Sequence, residues 1–529
     1  MHRRITVPAI LLAGAAACSA ALSAAPAATG QPDAGGPVSP TARLSSPSSP
    51  TSPSSPPSPP IRVVSLGDDG ALGEYDSGGT FVSVANRNEV DLSSDGRYVA
   101  FESYAGNLVG AADTNNRADV FVRDRDTDAD GVYDEARATA TVIVSVATDG
   151  SQQYGAGSTS PSISRDGRFV AFYSTAALVT EDTNGAGDVY VRDRDTDADG
   201  IYDEPGTVGT SRVSVGPAGE QGNNDSNNPE ITPDGRYVTF ASIATTLLAG
   251  DRDFSEDVYL RDRDADGDGI YDEPDAVDTE LISAPTSGAK EYLTNTMAAL
   301  TPDGRFVTWA STAGGWDPSD QNRAFDVYVR DRLLGTVTRL SVGLGGADTD
   351  QESQEPAISD DGRWVVFSSQ ASNLIARDTN EVRDIFAVDR DPDGDGIYDE
   401  PGANVIKRVS VGSRGAQADA WSTGPSITPD GRVVVFESEA STIGPASGHP
   451  EIFVRDRDAD QDGRFDEKRA SLTGLVPLSR RSGPANGTSV TPVISADGRW
   501  IGFASYAENL VPKAYRNGRV DVFVRGPFG

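Results

Sequence analysis

The 529-residue sequence predicts an all-β fold, a seven-bladed β-propeller of four-stranded blades, from three observations. Asp-Gly-Arg recurs seven times before a short aromatic and β-branched run, with its aspartates at Asp95, Asp166, Asp234, Asp303, Asp361, Asp430 and Asp497. The gaps between them are 71, 68, 69, 58, 69 and 67 residues, the period of one supersecondary unit repeated along the chain. Within each unit, runs rich in Val, Ile, Phe, Tyr and Thr are bounded by turn residues, and no run carries a sustained i, i+3, i+4, i+7 stripe.

One unit, residues 161–215, reads PSIS, an Asp-Gly turn, RFVAFYS, a loop, DVYVRDR, an acidic insert and SRVSV, which makes four strands. The second strand is apolar on both faces, so a neighbour must cover each side of its sheet. Radial packing of blades does this and leaves only short edges. The last unit stops at its third strand, DVFVR, at 521–525, while an orphan strand of the fourth type, IRVVSLG at 61–67, precedes the first unit. Pairing these two removes both open edges and closes the ring. The turn-and-strand signature S/T-x-D-G-R-x-V-A-F-x-S resembles that of TolB-like, WD-repeat-like propellers over residues 61–529. That resemblance implies the propeller fold and a binding surface more than any one chemistry.

Five units carry the insert D-x-D-x-D-G-x-x-D-E, starting at Asp126, Asp195, Asp264, Asp391 and Asp458; the fourth unit has the bare turn RDRLLGTVTRL instead. Carboxylates at positions 1, 3 and 5 converge on one ion when such a loop curls, Gly at 6 permits the turn, and the carbonyl of position 7 adds a hard oxygen. The expected Ca²⁺ ligands, for up to five ions, are Asp126, Asp128, Asp130 and Val132; Asp195, Asp197, Asp199 and Ile201; Asp264, Asp266, Asp268 and Ile270; Asp391, Asp393, Asp395 and Ile397; and Asp458, Asp460, Asp462 and Arg464. Position 12 is Arg137, Gly206, Asp275, Gly402 or Arg469 and never the Glu of an EF-hand. The ninth residues, Asp134, Asp203, Asp272, Asp399 and Asp466, are therefore expected to close each shell, and in this the loops resemble the calcium hairpins of integrin α-subunit propellers. A second pattern before the third strand, as in DTNNRAD at 113–119 and DQNRAFD at 320–326, suits Asx-turns, with extra cation sites as the alternative.

Residues 1–30 have the layout of a secretory signal, with Arg3 and Arg4 before an apolar stretch too short to span a membrane. Cys18, the only cysteine, follows three alanines as in a lipoprotein box; cleavage further on would discard it. Residues 31–60 include 19 Pro or Ser and form a disordered linker rather than a core. Export to the cell surface or medium is the expectation, the lipid on Cys18 deciding between them. Only 4 of the 45 basic residues are Lys, a composition that suggests a GC-rich bacterial genome.

A formal charge of −35 argues against nucleic acid as partner, since phosphate binding needs the opposite field. With two histidines and one cysteine, the chain lacks parts for a Ser-His-Asp triad, a histidine zinc site or a nucleophilic Cys, so no catalytic residue is assigned. The expected function is a monomeric binding module for a protein or glycan, with Trp316 and Trp421 as ligand-face candidates opposite the acidic hairpins. A carboxylate-dependent glycan-active enzyme at the channel and a purely structural surface protein are the alternatives. Trp309, Trp364 and Trp500, in the second strands, are expected in the core.

Overall fold

The second strand of each unit carries the fold. In the first blade it is Tyr98–Ser103, buried along its whole length because sheets lie against both of its faces. The structure, a computed structural model, describes residues 59–528 apart from 79–88, 111–112, 250, 252–253, 285–293, 446, 478 and 480–482. The signal segment with Cys18 and the linker up to residue 58 lie outside the described residues.

Seven four-stranded antiparallel sheets form, each of the first six from four consecutive strands, spanning 90–143, 158–212, 226–281, 295–339, 353–408 and 422–475. Their apolar side chains gather into seven clusters, each drawn from two adjacent blades. Tyr98, Ala100, Val120 and Val122 of blade one meet Ile163, Val170, Phe172 and Tyr190 of blade two, for example. The core therefore lies in the seams between sheets. Trp309, Trp364 and Trp500 sit in these seams, as expected of strand-two aromatics.

The turn between strands one and two explains why Gly follows Asp in the signature. Gly235 has φ +80°, and a Cβ there would fall 2.2 Å from the Phe169 ring of the preceding blade. The Asp of the signature accepts the N–H of the Arg two residues on, as in Arg97 to Asp95 at 2.9 Å. That Arg then forks onto the Asp ending strand three, Arg97 to Asp124 at 2.9 and 2.8 Å.

The seventh blade takes its fourth strand from the other end of the chain. Ile61–Val63 runs antiparallel to Asp521–Arg525, with Ile61 opposite Arg525 and Val63 opposite Phe523. The ladder is shorter than the 61–67 run because Ser65 takes over with its side chain: its hydroxyl donates to Asp521 and accepts from the Val522 N–H. Deleting 61–67 should leave blade seven with three strands and an open edge, lowering soluble yield and melting temperature, whereas deleting 31–58 should be nearly neutral. Equal behaviour of the two truncations in a thermal melt would contradict closure by this strand.

Candidate metal loops and the central channel

Each acidic insert sits on the hairpin between strands three and four and curls on its own carboxylates. In the first, the Asp130 and Gly131 N–H groups donate to the two Asp126 oxygens at 3.2 and 3.0 Å, and the Val132 N–H donates to Asp130 at 2.9 Å. The same three bonds recur in the loops at Asp195, Asp264, Asp391 and Asp458. Gly131 turns the chain at φ 84°. Carboxylate oxygens of Asp126, Asp128 and Asp130 consequently lie within 4.8 Å of one another, and so do those of Asp195, Asp197 and Asp199, of Asp264, Asp266 and Asp268, and of Asp391, Asp393 and Asp395. These clusters could hold metal ions. Desolvation, then the neighbouring carboxylates of Asp130 and Asp126, hold the Asp128 carboxyl above its ordinary range, the strain a cation would relieve. Val132, Ile201, Ile270 and Ile397 are all half exposed or more, so position 7 has no packing role for its side chain and can serve only through its backbone carbonyl.

The ninth position departs from the expectation. Asp134 is gripped by Arg125, the residue just before the loop, whose Nε and Nη2 donate to its two oxygens at 2.9 and 2.6 Å. Arg194–Asp203, Arg263–Asp272, Arg390–Asp399 and Arg457–Asp466 repeat the pair. A permanent cation nearby thus engages these five carboxylates, and in the loops at Asp126, Asp195, Asp264 and Asp391 the carboxylates that converge are those of positions 1, 3 and 5. Position 12 is a turn residue at φ between 70° and 93°.

The arginine does more than neutralise. Arg125 is 0 % exposed, its Nη1 donates to the Gly96 carbonyl of its own Asp-Gly turn at 2.7 Å, and its guanidinium lies 4.3 Å over the Trp500 ring of the preceding blade. Tyr133, at loop position 8, stacks on the same indole at 5.3 Å. Arg194 and Tyr202 hold Tyr98 in this way, Arg263 and Tyr271 hold Phe169, Arg390 and Tyr398 hold Phe306, and Arg457 and Phe465 hold Trp364. Every acidic hairpin is therefore a staple across one seam. In blade four, which has no insert, Arg332 keeps its bond to the Gly304 carbonyl and takes Glu280 of blade three as its acid.

On the opposite face the weaker Asp pattern forms Asx-turns, as in Arg117 N–H to Asn115 and Ala324 N–H to Asn322. Where an arginine ends strand four it bridges the two aspartates: Arg212 lies between Asp182 and Asp188, Arg408 between Asp378 and Asp384, and Arg339 reaches Asp320, Asp326 and Asp348. The cation at these three places is a side chain. Trp316 is half-buried, donates from its indole to the Ala284 carbonyl at 2.9 Å and stands edge-on to Trp309 and Tyr328, so it packs its loop rather than presenting a free ring. Trp421 is half-buried, and its carbonyl accepts the Ser438 hydroxyl.

The innermost strands line a cavity of about 250 Å³ on the ring axis. Strand one of blades two to seven is bulged, placing Ser160, Asn228, Met297, Glu355, Gly424 or Thr491 in the left-handed region at the cavity wall. Burial, then the charges of Glu102 and Glu437, push the Glu89 carboxyl up to about 9; burial pushes Glu451 up to about 8 and Glu102 and Asp119 up to about 7. These groups keep protons in the native state that the unfolded chain releases near its ordinary carboxylate range, so their stabilisation is full below that range and is lost as the pH rises toward 9. With calcium chelated, the melting temperature should be higher at about pH 5.5 than at about pH 8.5. The opposite slope would contradict buried, protonated carboxyls.

No family model matches the chain. A stretch of 95 residues, 18% of the chain, is 30% identical to dipeptidyl-peptidase 5 from Porphyromonas endodontalis, and the chain covers 13% of that relative's length. Among solved structures it is similar to a putative TolB from Agrobacterium tumefaciens, at 17% identity over 74% of this chain and 94% of that one with a TM-score of 0.32. It is also similar to the β-propeller domain of the Trilobed protease from Pyrococcus furiosus, at 11% identity over 84% and 94% with a TM-score of 0.43. TolB from Acinetobacter baumannii matches at 13% identity over 65% and 60%, with a TM-score of 0.32. Blade number and closure rest on the strand pairing described above. No helix among the described residues is long and apolar enough to cross a membrane.

Proposed function

We propose that this chain is an exported binding module whose propeller is braced by calcium at five blade hairpins. The observation that carries it is the convergent Asp cluster that caps the Arg-aromatic staple in blades one, two, three and five, with the same loop hydrogen bonds and staple repeated at the Asp458 hairpin. Hard carboxylate and carbonyl oxygens suit Ca²⁺, and its concentration outside cells matches loops of modest affinity. Calcium at positions 1, 3 and 5 would hold the loop closed and so keep the position-8 ring and the arginine seated on the next blade. The braced ring then presents loops of its other face to a protein or glycan. Profiling on a glycan array with and without calcium tests the binding role; turnover of a polysaccharide instead of retention would replace it with the enzymatic reading.

Anchoring is part of the proposal. Replacing Cys18 by Ala should shift the protein from the membrane fraction to the medium if Cys18 is the lipidated start of the mature chain. A mature N-terminus at Ala28 in the wild type would exclude the lipid.

A further inference from the structure

The channel holds a carboxylate with no counter-charge in contact. Glu89, just before strand one of blade one, is 6 % exposed and lines the axial cavity; its backbone carbonyl accepts the Glu102 N–H at 3.1 Å, yet its carboxyl receives no hydrogen bond or ion pair from the described residues. Glu437 of blade six shares the wall, and Glu102 on the next strand adds like charge. The Thr491 hydroxyl, also on the wall, is a buried oxygen without a protein partner. Ionised, a carboxylate buried in this way is unfavourable, so Glu89 keeps its proton until something cationic meets it.

We propose that the channel binds a small organic cation, a primary ammonium on an aliphatic stem, with Glu89 as its counter-charge and Glu437 and Thr491 as further acceptors. A hard divalent ion would collect about six to eight oxygens around one point. Here the carboxylates are drawn apart: Glu102 accepts the Ser160 N–H, and Glu355 accepts the Thr423 hydroxyl and the Gly424 N–H at 2.9 Å. Between them the wall is apolar, with Pro229, Pro356, Pro425 and Pro492 beside Met297. Spaced acceptors over such a wall fit three N–H donors on a methylene chain. At the turn end of the axis, Arg165 of blade two reaches Asp360 of blade five at 2.7 Å, a strut across the ring. As the ammonium binds, Glu89 loses its proton to solvent, and the charged groups acting on it there are Glu102 and Glu437.

This proposal rests on the ring being a binding module and not on the metal loops. The full mature chain, saturated with calcium, is titrated calorimetrically with n-pentylamine, with 1-pentanol as the uncharged counterpart and Nα-acetyl-lysine-amide as a side-chain mimic. Both ammonium probes should bind and the alcohol should not, with heats that vary with buffer ionisation enthalpy as a proton leaves. Tighter binding of pentylamine identifies a free amine as the ligand, and tighter binding of the lysine derivative a protein side chain. Glu89→Gln should weaken the ammonium by about 10-fold or more, Glu437→Gln by less, and Glu89→Gln should leave the calcium count unchanged and the melting temperature no lower. Failure of both ammonium probes to bind, equal binding by Glu89→Gln, or loss of one calcium from Glu89→Gln in place of amine binding would overturn it. An abnormal calcium count in the wild type bears on the loops alone.

Discussion

Chelating calcium should lower the melting temperature by up to about 7 °C and open five hairpins to protease. With free calcium on the order of 1 mM and a Kd near 10⁻⁴ M, each filled loop stabilises the native state by roughly RT ln 11, about 1.4 kcal/mol. Five independent loops give at most about 7 kcal/mol, comparable to the net stability of many domains. A ring of about 470 residues unfolds with an entropy near 1 kcal/mol/K, which converts that figure to the shift in melting temperature. Proteolysis is the sharper readout, because local opening of a hairpin needs less than global unfolding. New cuts should fall near Asp126, Asp195, Asp264, Asp391 and Asp458, and none at Leu333-Leu334-Gly335, where blade four has its bare turn. Cutting indifferent to chelator would contradict metal in the loops.

Arg125→Ala should cost about 3 kcal/mol or more, the price of leaving a buried ion pair half-made. Asp134 would lose both its bonds, the Gly96 carbonyl its donor and the Trp500 ring its cation, all at the seam that joins blade seven to blade one. Lysine should not rescue it, since the fork onto Asp134 and the flat contact with the indole both need a guanidinium. Arg332→Ala is the control. Arg332 keeps the Gly304 bond, but its acid, Glu280, is about one-third exposed and its guanidinium lies 5.4 Å from the Tyr237 ring, farther than Arg125 from Trp500, so the loss should be smaller, about 1 kcal/mol. Denaturant unfolding of the two variants measures the difference, and equal losses would contradict the staple.

The blade number, the closing strand and the first three Asp of each loop were legible because each repeats at fixed spacing. The destiny of the ninth Asp was not. Its partner lies one residue before the loop, and an arginine stands there in all five inserts, so the signal was visible as R-D-x-D-x-D-G-x-[YF]-D. Its meaning depends on the aromatic of the preceding blade, a contact that spacing along one chain does not display. Arg332 shows that the arginine belongs to the scaffold even without a metal loop. Trp316 read as a surface ring because its segment is a loop; Trp309 beneath it, buried in the seam, supplies the surface it covers. Glu89 left no repeat signal at all, because the other units place Ser160, Asn228, Met297, Glu355, Gly424 and Thr491 at the corresponding bulge.

The most direct test is a calcium count per chain at millimolar free ion, by equilibrium dialysis and elemental analysis of the wild type and Asp128→Ala. If the five hairpins are metal loops, the wild type binds five ions at these sites and Asp128→Ala binds four, with the other four loops still protected from protease. A wild type that binds none, or an Asp128→Ala chain with an unchanged count, would contradict calcium as the brace of the ring.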